Sequence, residues 1–60
     1  MPFEVRIWVS EDYLIKAERL LERAMIRFDL DGGDRIMCSQ EDCSEVVRIF
    51  ASHMIPYQVI

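Results

Sequence analysis

Shifting the chain by 29 positions lays its second half over its first. Arg6-Ile7 falls on Arg35-Ile36, Ser10 on Ser39, Arg19 on Arg48, and Met25-Ile26 on Met54-Ile55. Similar residues coincide between these identities: Glu11 with Gln40, Asp12 with Glu41, Leu20 with Ile49, Leu21 with Phe50, Phe28 with Tyr57 and Leu30 with Val59. Sixty residues leave room for one domain only. Residues 3–31 and 32–60 are therefore expected to be two copies of one unit sharing a single core.

Each copy carries the same sequence of periods. Phe3, Val5, Ile7 and Val9 alternate with Glu4, Arg6 and Trp8, the pattern of a strand with one buried face. Ser10 offers an N-cap, and Glu11 and Asp12 suit the positive end of a helix. Leu14, Ala17, Leu20, Leu21 and Ala24 then recur at helical spacing. Alternation returns with Ile26, Phe28 and Leu30, and Asp31-Gly32-Gly33 supplies turn chemistry. In the second copy Ile36 and Cys38 alternate with Arg35 and Met37, and Ser39 is the cap, with Glu41 and Asp42 in the first turn. Cys43, Val46, Val47, Ile49 and Phe50 form the stripe, and Ile55, Tyr57 and Val59 the last strand. Pro56 marks that strand as an edge.

The order is β-α-β-β-α-β. Right-handed crossovers place both helices on one face of a four-stranded antiparallel sheet, with expected strand order 4-1-3-2. This predicts an α+β, ferredoxin-like split β-α-β sandwich. A chain this short buries only about 60% of its unfolded surface, so association with a partner or a second copy would add stability.

Net charge is −4, against the basic footprint that nucleic acids and anionic membranes select. No apolar run reaches membrane-spanning length. Met1-Pro2-Phe3-Glu4 lacks the basic and apolar regions of a signal peptide, and two cysteines are too few for a disulfide framework. The expected setting is the reducing cytoplasm.

Cys38 and Cys43 are the obvious metal or redox candidates, a C-x4-C pair across a strand-to-helix junction. The repeat places them on Val9 and Leu14, which are core positions in the first copy, so both read as small buried hydrophobes. One histidine, His53, does not complete a four-ligand set, and its place at a helix C-terminus suits a structural role. Asp29, Asp31 and Asp34 lack EF-hand spacing and read as a solvated hairpin tip. No cofactor is expected, and no catalytic constellation stands out.

The sheet face opposite the helices is more informative. It should carry Glu4, Arg6, Trp8, Arg27, Asp29, Arg35, Met37, Pro56, Gln58 and Ile60. Trp8 and Met37 would occupy the central strands, and three of the six arginines fall here, leaving acidic charge on the helices. Trp and Arg are the residues most enriched at binding hot spots. Arg6, Trp8, Arg27, Arg35, Met37 and Gln58 are thus the candidate interaction face. RNA-recognition modules use the same face, but they place two or three rings where this chain has one tryptophan.

Three segments add a resemblance: Ala17-Glu18-Arg19-Leu20-Leu21-Glu22-Arg23-Ala24-Met25-Ile26, Asp34-Arg35-Ile36-Met37-Cys38 with Glu41-Asp42, and Met54-Ile55-Pro56-Tyr57-Gln58-Val59. Over residues 14–59 the chain resembles a family of small prokaryotic signal-transducing domains with a β-α-β-β-α-β plan. That family often has glycine where Met25 and Met54 stand here. The resemblance implies a regulatory or ligand-sensing role and transfers no catalytic residue.

The leading expectation is a non-enzymatic interaction or regulatory module acting through the open sheet face, as a homodimer or docked on a larger protein. An alternative is a small acidic inhibitor of a larger enzyme, of viral or host origin, presenting Glu11, Asp12, Glu18, Glu22, Glu41, Asp42 and Glu45. A further alternative is a metal or redox carrier using Cys38 and Cys43. An enzyme is the least expected class, because so small a chain has little room for a water-excluding cleft.

Overall fold

A computed structural model describes residues 3–60. Four strands, β1 (Val5–Val9), β2 (Phe28–Leu30), β3 (Arg35–Cys38) and β4 (Tyr57–Val59), form one antiparallel sheet ordered β2-β3-β1-β4. This is the expected 4-1-3-2 order read from the other edge. Two helices, α1 (Leu14–Arg23) and α2 (Cys43–Ser52), complete the α+β domain.

The repeat is carried into the core. Buried Ile7, Val9, Ala17 and Leu21 match buried Ile36, Cys38, Val46 and Phe50, each 29 positions on. Ile55 is buried as well, and its mate Ile26 packs half-buried against the same cluster. Alternation explains the strand contribution: Val5 faces Cys38 and Ile7 faces Ile36 across the central ladder, one pleat face turned to the helices. Phe50 also meets Tyr57 of β4 with ring centroids 6.1 Å apart and tilted 51°, a favourable aromatic geometry.

Helix starts differ from the sequence expectation. Glu11–Tyr13 form a 3-10 turn, with the Tyr13 N–H donating to the Ser10 carbonyl at 2.9 Å, and α1 begins only at Leu14. The Ser10 side chain makes no cap hydrogen bond. In the second copy the Ser39 hydroxyl accepts from the Asp42 N–H at 3.3 Å and donates to the Asp42 carboxylate at 3.0 Å. That exchange closes the turn before α2 and needs the carboxylate of Asp42, where the first copy has Tyr13. Glu41 and Asp42 therefore precede α2 rather than occupy its first turn.

Helix ends are matched more closely. Ile26 N–H donates to the Leu21 carbonyl and Met25 N–H to that of Glu22; Ile55 to Phe50 and Met54 to Ala51 repeat the pair. Both exits are Schellman motifs, whose penultimate position is left-handed. Met25 and Met54 hold it at φ 59° and 56°. Glycine tolerates this region without a Cβ clash, whereas methionine carries the strain of its Cβ there. The motif takes Ile26 and Ile55 as its closing hydrophobic contact, so β2 and β4 begin two residues later than alternation suggests. Ala24, expected on the α1 stripe, is the exposed C-cap residue instead.

Candidate interaction face and helical groove

The ladder fixes how the open face is tiled. Trp8 on β1 lies between Gln58 of β4 and Arg35 of β3. Met37 on β3 lies between Arg6 of β1 and Asp29 of β2. Trp8 and Met37 are diagonal neighbours on the two central strands and both are half-buried. Arg6 extends across β3 to an ion pair with Asp31, Nε to Oδ2 3.2 Å. Both partners are well exposed, so this contact orients Arg6 more than it stabilises the fold. Five of the six predicted face residues, Arg6, Trp8, Arg35, Met37 and Gln58, are thus brought together by register. Arg27 precedes β2, outside the paired residues.

Ile60 lengthens this face, because its N–H donates to the Arg6 carbonyl at 2.9 Å beyond the end of β4. Ile60 and the edge-strand residues Leu30 and Val59 are exposed large apolar side chains.

The cysteines are reduced and separate. Cys38 is fully buried between Val5 and Phe28, and burial, then the nearby Cys43 and Asp42, pushes its thiol up from 9.0 to about 11. A thiol held neutral is a poor nucleophile and a poor metal ligand. Cys43 opens α2, half-buried against the core. Among the described residues, no group of three or more His, Cys, Asp or Glu side chains is placed to hold a metal ion. Nor is any described helix long and apolar enough to cross a membrane.

The helices are not uniformly acidic. A groove of about 430 Å³ runs along α1, lined by Ile15, Lys16, Arg19, Leu20 and Arg23, with His53 from the end of α2. Lys16, Arg19 and Arg23 are exposed, and none of them forms an ion pair among the described residues. The net acidity of the chain masks this cluster at the level of composition. The signal that finds it is a comparison of the copies: Lys16 and Arg19 match Glu45 and Arg48, so like charges stand where the second copy has opposite ones. No protein-family model matches the chain, and neither a curated protein nor a solved structure matches it.

Proposed function

We propose that this domain is a non-enzymatic interaction module that pairs its open sheet face with that of a second copy. The observation that carries the reading is the half-buried Trp8–Met37 pair at the centre of a sheet face with no helix over it. Tryptophan contributes more binding energy per residue than most side chains when a partner desolvates it.

Charge supports a self-complementary occupant. The face presents both signs, Arg6 and Arg35 beside Asp29 and Asp31. A two-fold pairing sets each patch against its own complement. The resemblance to small signal-transducing domains implies a regulatory or ligand-sensing role. The two longest dimensions of the domain, 28 and 22 Å, limit the face to about 600 Å², the low end of interface sizes, so micromolar association is expected.

Light scattering coupled to size exclusion, run from about 10 µM to 1 mM, tests this. A dimer at the upper end, with Trp8→Ala shifting it to monomer by at least tenfold in dissociation constant, is the expected result. Trp8→Ala should leave the far-ultraviolet circular dichroism unchanged, since Trp8 lies outside the core. A wild-type monomer throughout the range overturns the reading.

A further inference from the structure

We infer that the α1 groove is a binding site for a small organic phosphate, whose anionic groups pair with Lys16, Arg19 and Arg23 and whose apolar part covers Ile15 and Leu20. The lining joins two chemistries. Ile15 is 67% exposed and Leu20 half-buried, giving the groove an apolar patch. Three permanent cations on one side of one helix surround it, and the His53 imidazole adds a further polar group from α2. Guanidinium groups match phosphate oxygens in a planar fork, and an ammonium adds a mobile point charge. The groove's volume falls in the range that small ligands occupy.

The charge arrangement argues that this is more than a solvated surface. Lys16–Arg19 and Arg19–Arg23 are like-charged neighbours at i,i+3 and i,i+4, and the one α1 carboxylate at such a spacing from any of the three is Glu22, i,i+3 from Arg19, with which no ion pair forms among the described residues. Chain net charge is −4, so these cations gather against the overall balance. The repeat supplies an internal control. On α2 the matching positions are Ser44, Glu45, Arg48, Ile49 and Ser52. There Arg48 is held by Glu45 through both guanidinium and carboxylate, and no second or third cation stands beside it. The first copy has replaced the neutralising glutamate with Lys16 and the serine with Arg23, leaving unpaired positive charge that an anionic ligand would neutralise. The α1 groove shares no lining residue with the open sheet face.

Amide chemical-shift titrations of the full chain with ATP and with inorganic pyrophosphate test it. ATP is expected to bind at about 1 mM or tighter and several-fold tighter than pyrophosphate, since only ATP can cover Ile15 and Leu20. Shifts should concentrate on Ile15, Lys16, Arg19, Leu20 and Arg23. The Arg19→Gln/Arg23→Gln double variant should lose at least tenfold in affinity while keeping the wild-type spectrum elsewhere, and Arg48→Gln should bind as wild type. No saturable binding of either probe, equal effects of Arg48→Gln and the double variant, or pyrophosphate binding as well as ATP overturns the proposal.

Discussion

The two copies agree inside and part company outside. Ile7 and Ile36, Val9 and Cys38, Ala17 and Val46, Leu21 and Phe50 occupy the same places and are all fully buried. On the outer flanks, Lys16 and Arg23 stand against Glu45 and Ser52, and Ile15 against Ser44. Close packing explains the agreement, because a core position accepts only a narrow range of shape and volume. Solvent imposes no such limit, so the flanks are free to carry different chemistry. A difference between matched surface positions therefore points to function more directly than either surface does alone.

The largest expected effect tests the shared core. Phe50→Ala should cost about 3–5 kcal/mol and Leu21→Ala about 2–5 kcal/mol, read from urea unfolding. In a domain of this size Phe50→Ala is expected to leave a large unfolded fraction at 25 °C. If either substitution is silent, the two copies do not share one core.

Cys38 tests whether its match with Val9 is one of packing. Its folded pKa of about 11 lies above the ordinary 9.0, so folding favours the neutral thiol. That stability is fully present below pH 9 and is lost as pH rises through about 11. The shift corresponds to about 2–3 kcal/mol. Stability measured from pH 8 to 11.5 should fall more steeply for wild type than for Cys38→Val, and Cys38→Val should stay within about 1.5 kcal/mol of wild type at pH 7. Parallel curves would show that the thiol is not held neutral.

The helix exits should respond alike. Met25→Gly and Met54→Gly relieve the same left-handed strain, and each should gain about 1 kcal/mol by thermal or urea unfolding. Met25→Ala and Met54→Ala keep the Cβ and should gain nothing. Both methionines are exposed, at 90% and 86%, so little packing is lost with the side chain. A gain at one exit only would break the symmetry of the two units.

The smallest effect sharpens the contrast between the flanks. Lys16→Glu recreates the Glu45–Arg48 arrangement on α1. It should raise stability by roughly 0.2–0.5 kcal/mol at low salt. The same variant should weaken ATP binding, so stability and binding move in opposite directions. If both improve, the cations of α1 do not serve an anionic ligand.

Local patterns in the sequence decided the strand faces, the helix stripes and part of the surface. The alternation of Val5, Ile7 and Val9 and the stripe of Ala17 and Leu21 were legible because side-chain direction repeats with the backbone's own period. Trp8, Met37, Arg6, Arg35 and Gln58 followed, since a residue beside a buried one in a strand must face the other way. Capping was legible only as a possibility: Ser10 and Ser39 look alike, yet only Ser39 has Asp42 within reach to close its turn. The left-handed exits were hidden because methionine gives no sign of positive φ.

The sequence by itself determined the repeat, the shared core and the identity of the open face. All three rest on periodicity, which is a property of covalent geometry and needs no knowledge of what lies across the molecule. Tertiary structure alone decided which residues meet: Arg6 with Asp31 across β3, Trp8 between Gln58 and Arg35, and His53 of one copy beside the cations of the other. Such meetings depend on sheet register and on where one helix lies against another. Those are set by packing of the whole core, and no single segment of the chain encodes them.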